Sequence, residues 1–156
     1  MFMVEYLPKC WNMKNILVSI DFNEQEAFLM DKAYEFAKAF DAKIWLVHIA
    51  APDPDFVGYD VGPQYIRDTR ADDLRAEHKL LQDYAQQLEA KGVRAEGLLV
   101  QGATVEMIIK EAEKLNSDLI ITGHHDHNFL YKAFMGSTSE EIIKESKIPV
   151  LLVPLD

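Results

Sequence analysis

Four short apolar runs rich in β-branched residues, NILVSI from Asn15, KIWLVHI from Lys43, RAEGLLV from Arg94 and DLIIT from Asp118, recur along the chain with helical patterning between them. A fifth, PVLLV, begins at Pro149. Apolar runs without polar alternation read as strands buried on both faces, and such strands belong to a parallel sheet covered on each side by its crossover helices. The crossovers are right-handed, and the expected class is α/β with five strands and four helices.

The connecting segments carry their own helix signals. Asn23 with Glu26 three residues on is a capping box. The helix it opens carries Ala27, Met30, Tyr34 and Ala37 on one face and ends near Phe40, and Tyr34, Phe36 and Phe40 read as core. A second helix spans about Thr69 to Lys91, with Leu74, Leu81, Ala85 and Leu88 as its apolar stripe and Gly92 as its stop. Thr104 caps a third, whose Val105, Ile108, Ile109, Ala112 and Leu115 follow helical spacing up to Asn116. A short fourth runs from about Ser139 to Ser146, before a strand from Pro149 to Val153. Ala50 to Ile66, with three prolines and two glycines, is the longest irregular stretch. It is either a functional loop or a plain crossover.

The formal net charge of −10 disfavours nucleic-acid backbones and anionic lipid as partners, since both need clustered Lys and Arg. A small anionic ligand stays open, because backbone N–H groups at a helix start hold phosphates without net positive charge. The single cysteine, Cys10, has no intrachain partner, no segment approaches the length of a membrane span, and the first residues lack a secretory pattern. The expected location is the cytoplasm. Residues 1–12 (MFMVEYLPKCWN) have no periodic pattern and read as an N-terminal extension, with Met13 as an alternative start and 13–156 as one domain.

Ligands of open α/β sheets lie beyond the carboxyl ends of the strands, where strand order reverses. If the order is 3-2-1-4-5, the crevice opens between the first and fourth strands, at Asp21 and Gly123. Asp21 either accepts from a ribose hydroxyl or an adenine amino group, or serves only the helix start behind it. After the fourth strand comes ITGHHDHNFLYKAFMGSTSEE. Here Gly136, Ser137 and Thr138 precede Glu140 and Glu141 at a helix start, whose free N–H groups suit a phosphate. Ser137 with Glu140 also reads as a capping box.

Other chemistries fit less well. The run His124, His125, Asp126, His127 has metal-ligating types without metal-ligating spacing, so no metal site is assigned. A histidine bonded to neighbouring backbone is the favoured role. Ser137 with His124 or His125 lacks the G-x-S-x-G elbow of a hydrolase, and there is no Walker A, G-x-G-x-x-G or C-x-x-C motif. The expected enzyme activity is slow ATP hydrolysis at most. Lys132 in the loop reads as solvated.

GHHDHNFLYKAFMGST has the spacing of the G-x2-G-x9-G-[ST] signature of universal stress proteins, and the chain resembles that family over essentially its whole length: KNILVSIDF, IWLVHI, DLIITGHH and IPVLLVPL look like the family's strands in order. The resemblance implies an open, Rossmann-like five-stranded sheet in the order 3-2-1-4-5 and a homodimer paired through the C-terminal strand. It implies two subclasses, one binding ATP through the glycine loop and one not. Carried over by position, Asp21 and Ile49 would contact adenine and ribose, Gly123 would line the phosphate path, and Gly136, Ser137 and Thr138 would hold phosphates.

Two positions depart from the pattern. Ser19 stands where nucleotide-binding members often have proline, and Asp126 stands where the second glycine belongs. Two unit charges about 4 Å apart at an effective dielectric near 20 repel by roughly 4 kcal/mol, against about 1.5 to 3 from one backbone bond to a charged oxygen. Asp126 therefore opposes phosphates unless it turns to solvent or a cation such as Mg²⁺ bridges it to them. GHH with an acid resembles the subclass without nucleotide, and GSTSEE the ATP-binding one. The favoured expectation is a regulatory switch in stress response that binds ATP or AMP and signals to an unidentified protein partner. The alternative is a nucleotide-independent dimeric scaffold.

Overall fold

A computed structural model describes residues 12–52, 64–124 and 138–155. Residues 1–11 of the stretch 1–12 read as an N-terminal extension, residues 53–63 of the long loop, and His125, Asp126, His127, Lys132, Gly136 and Ser137 of the glycine loop lie outside the described residues.

The elements alternate as β1 (Asn15–Ser19), α1 (Glu26–Phe40), β2 (Lys43–Ala50), α2 (Gln64–Ala90), β3 (Ala95–Gln101), α3 (Thr104–Lys114), β4 (Leu119–His124), α4 (Thr138–Glu145) and β5 (Val150–Pro154). The strands form one parallel sheet in the order β3-β2-β1-β4-β5. This is the order that the family resemblance implies. β1 lies at the centre: Ile16 pairs with Ile44 on one side and Leu119 on the other, and Val18 with Leu46 and Ile121.

Alternate residues of the strands feed two cores. Ile16, Val18, Ile20, Ile44, Leu46, Leu119 and Ile121 share one cluster with Leu29, Met30, Ala33 and Ala37 of α1 and Leu81, Ala85 and Leu88 of α2. On the opposite face, Leu17, Val47 and Ile120 pack with Ile108 and Ala112 of α3 and Ile142 of α4. Each fully buried Leu or Ile is worth about 1.5–3 kcal/mol. The continuous apolar runs thus have their cause in two covered faces. Among the described residues no helix is long and apolar enough to cross a membrane.

Several helix expectations need correction. Ala27 is exposed, and the inner face of α1 is instead Glu26, Leu29, Met30, Ala33 and Ala37. Burial of Glu26 at the helix start rotates Ala27 about 100° away from the core. Phe40 is exposed, whereas Tyr34 and Phe36 are half-buried against the core.

Helix α2 begins at Gln64, earlier than Thr69. Thr69 is inside it, donating its hydroxyl to the carbonyl of Tyr65 at 2.9 Å. The 27 residues of α2 span roughly 40 Å, against roughly 23 Å for the neighbouring β3. Its first half therefore overhangs the sheet, and Leu74 is only partly covered while Leu81, Ala85 and Leu88 are buried.

Thr104 is the first residue of α3 and not its cap; extended Ala103 holds the cap position, with no side-chain cap bond. The helix stops expected at Gly92 and Asn116 stand, both with positive φ. Glycine at 97 lets α2 approach β3 closely: a Cβ there would lie 2.9 Å from Leu81 Cβ and 3.0 Å from its backbone carbonyl.

Gly97→Ala is therefore expected to lower the unfolding free energy by about 1–3 kcal/mol, as overpacking does. Urea denaturation checks this, and an unchanged midpoint would mean that α2 yields freely at this contact.

Candidate functional site at the carboxyl ends of the central strands

Most of the buried polar side chains gather at one end of the sheet. Among the described residues the buried polar side chains are Ser19, Glu26, Glu111, Ser117, Thr122 and Ser139. Ser19, Glu26, Thr122 and Ser139 all stand at the carboxyl ends of β1 and β4 or at the helix starts that follow those strands. Buried polar groups destabilise a fold unless they are paired, so their partners matter.

Beyond β1 the chain makes a tight turn into α1. Only half of the expected capping box forms: the Glu26 carboxylate accepts the Asn23 N–H at 3.1 Å, but Asn23 Oδ1 accepts the Gln25 N–H at 2.9 Å and not that of Glu26, and Gln25, not Asn23, holds the cap position of α1, with no side-chain cap bond. Glu26 reaches further back, taking the Asp21 N–H at 3.2 Å. Asp21 itself is exposed just beyond the carboxyl end of β1. Burial pushes the Glu26 carboxyl up to about 7, against the opposing Asn23 N–H bond, and the nearby charge of Asp21 adds to the rise.

Phe22, between Asp21 and Asn23, has φ 59, a left-handed conformation that a bulky residue rarely adopts. Its ring is held 4.4 Å from the His48 ring and 6.2 Å from that of Tyr84. His48 Nδ1 donates to the Ile20 carbonyl at 2.6 Å, and its Nε2 lies 3.9 Å from Glu77 of α2. Burial, then the charge of Glu26, raises the Tyr84 phenol above its ordinary value.

On the β4 side, Gly123 and His124 are the last strand residues, registered with Val153 and Pro154 of β5. A Cβ at Gly123 would overlap the end of the Leu155 side chain, so glycine here lets Leu155 pack without shifting. The strand continues through His124, one residue past the glycine expected to end it. His124 Nδ1 lies 3.2 Å from Ser139 Oγ, joining the end of β4 to the first turn of α4. Ser139 is buried, whereas Thr138 beside it is exposed at the helix start. Ile49, near the end of β2, is partly buried in the cluster that contains Leu17 and Val47.

The fold thus brings Asp21, Gly123 and Thr138 to the carboxyl-end side of the central strands. Asp126, Gly136 and Ser137 lie outside the described residues. Glu26 in its wider role and Ser139 were missed by sequence reasoning. Ser139 had a signal, its position three residues before the fully buried Ile142, which puts both on the inner face of α4. Glu26 had none beyond its capping position. No group of three or more His, Cys, Asp or Glu among the described residues could hold a metal ion.

Comparison with known proteins agrees with this architecture. The pattern of the universal stress protein family matches residues 12–154. The "Universal stress protein in QAH/OAS sulfhydrylase 3'region" of Thermus aquaticus is 32% identical over 143 residues, covering 90% of this chain and 98% of that protein. A solved universal stress protein in complex with cAMP has TM-score 0.68 at 19% identity, covering 93% of this chain and 99% of that one. The universal stress protein from Archaeoglobus fulgidus in complex with dAMP has TM-score 0.61 at 15% identity, covering 90% and 98%. With the family pattern matched over residues 12–154 and a relative 32% identical over 143 residues, the chain belongs to the universal stress protein family.

Proposed function

We propose that this chain binds an adenine nucleotide, ATP or AMP, across the carboxyl ends of β1 and β4, and that it serves as a ligand-stabilised switch in stress response. The observation that carries this reading is the arrangement of the crevice: an exposed carboxylate, Asp21, on a held turn at the end of β1, and the start of α4 drawn to the end of β4 by His124 and Ser139. The complexes of two structural neighbours with cAMP and dAMP support it.

In this reading Asp21 and Ile49 take the adenine and ribose. The backbone at Gly123 borders the phosphates, which Gly136, Ser137 and Thr138 hold with the help of the α4 N–H groups. Asp126 opposes the phosphates through like charge unless Mg²⁺ joins them. Bound phosphates then order the segment between Gly123 and Thr138, and differential affinity for the ordered state is the signal.

The protein acts in the cytoplasm as a homodimer joined through β5. β5 is an edge strand whose Val150, Leu151 and Leu152 are only partly buried, and an uncovered apolar edge is a site for strand pairing. That same edge favours a second reading, a scaffold that needs no nucleotide.

Calorimetric titration of ligand-free protein with ATP and excess Mg²⁺ is expected to show saturable binding near one per chain with about micromolar Kd. No heat at several temperatures would favour the scaffold. Asp21→Ala is expected to weaken ATP by about tenfold or more, the worth of a charge-assisted hydrogen bond; unchanged affinity would remove Asp21 from the site. Asp126→Gly is expected to tighten ATP and reduce its dependence on Mg²⁺. Identical affinity and identical Mg²⁺ dependence in that variant would make Asp126 a bystander.

A further inference from the structure

The Glu26 carboxyl does more than a helix cap requires. A capping box accounts for its bond to the Asn23 N–H at 3.1 Å. It does not account for the bonds to the Asp21 N–H, 3.2 Å from Oε2 and 3.4 Å from Oε1, which reach past the cap to the residue that leaves β1. Between the two tied N–H groups sits Phe22 in its left-handed conformation. One 2%-exposed side chain therefore ties both neighbours of a strained residue, while the ring of that residue is wedged against His48 and Tyr84.

We propose that Glu26 is the positioning residue of the adenine end of the site: its carboxylate fixes the turn that presents Asp21, and uptake of a proton by Glu26 loosens that turn and weakens nucleotide binding. The inference rests on the nucleotide reading above and names the regulation of that same site.

The carboxylate offers two charged acceptors to the N–H groups around it. The neutral acid keeps one carbonyl oxygen and turns the other into a donor, which cannot accept an N–H in the same way and lacks the assistance of charge. Asp21 then has to be ordered when ligand binds, at the expense of affinity. Both forms are populated near neutral pH, since burial and the Asp21 charge push the carboxyl up to about 7. The surrounding titratable groups are Asp21 in its own turn, Tyr84 on α2, and, in contact with the far end of the turn through Phe22, His48 on β2 facing Glu77 on α2. Affinity is therefore expected to rise as pH rises through about 7, because the ionised form is the one that holds the turn.

Two measurements on the same protein test this from pH 6 to 8.5: the amide NMR signals of Asp21 and Asn23 without ligand, and the Kd for ATP. ATP's terminal phosphate titrates in this window too, so Glu26→Gln, which keeps the shape and one acceptor, is the control carrying the same ligand contribution. The expected result is that both amides titrate with a midpoint near that of Glu26 and stop doing so in Glu26→Gln. The parent protein should also bind ATP more tightly at high pH, by on the order of fivefold beyond any change in the variant, the worth of charge assistance in one hydrogen bond. Amides that do not titrate, or titrate equally in Glu26→Gln, overturn the role of Glu26 in the turn. Titrating amides with ATP binding of the same pH dependence in both proteins overturn the coupling alone. Absence of ATP binding at every pH overturns the nucleotide reading and the coupling with it, while the amide signals still report the turn.

Discussion

β1 is hydrogen-bonded along both edges, to β2 and to β4, and Ile16, Leu17 and Val18 are fully buried between the two helical layers. The chain moves outward from β1 through β2 to β3, then returns past its start to place β4 on the other side. Right-handed crossovers in the two directions must lie on opposite faces, so α1 and α2 cover one side of the sheet and α3 and α4 the other. At the strand where the direction reverses, the helices leaving β1 and β4 diverge, and a crevice opens over the carboxyl ends. The position of the candidate site follows from that central strand.

The two ends of the central strands are finished differently. At the amino end the backbone is closed on itself: Asp118 accepts from the N–H groups of Lys14 and Asn15 at 2.7 and 3.0 Å and donates its own N–H to the Asn15 carbonyl at 2.8 Å. Trp45 Nε1 adds a bond to the Asn15 side chain at 3.1 Å. At the carboxyl end, buried Glu26 and Ser139 are tied to exposed or half-exposed partners, Asp21 and His124. The amino end is a structural closure. The carboxyl end holds polar groups, a titratable carboxyl and a left-handed phenylalanine together in a region that an isolated fold would have little reason to strain.

Much of this was legible in one dimension. Strand runs such as NILVSI and KIWLVHI have few competing readings, because β-branched residues in an unbroken apolar run need two covered faces. The bond from the Asn23 N–H to Glu26 was legible because its parts are three residues apart. The misplaced features have non-local causes. Leu74 follows the stripe of α2 but overhangs the sheet, and Ala27 fits an apolar pattern that burial of Glu26 rotates away. Gly123 reads as a ligand-loop glycine, yet it also serves the packing of Leu155.

The chain by itself therefore determined its class, the order of its elements and its family signature, since periodicity, capping and motif spacing depend on neighbours a few residues apart. Strand order came from the resemblance to a family and not from the runs themselves, because parallel strands carry no local record of their partners. Only the tertiary structure decided that Glu26 would reach Asp21, that His124 would meet Ser139 across the loop, and that Phe22 would be wedged between His48 and Tyr84. The physical reason is that burial sets these contacts. A carboxyl or hydroxyl removed from water takes whichever partner the packed fold leaves within reach, and that choice exists only after the sheet and its two helical layers have closed.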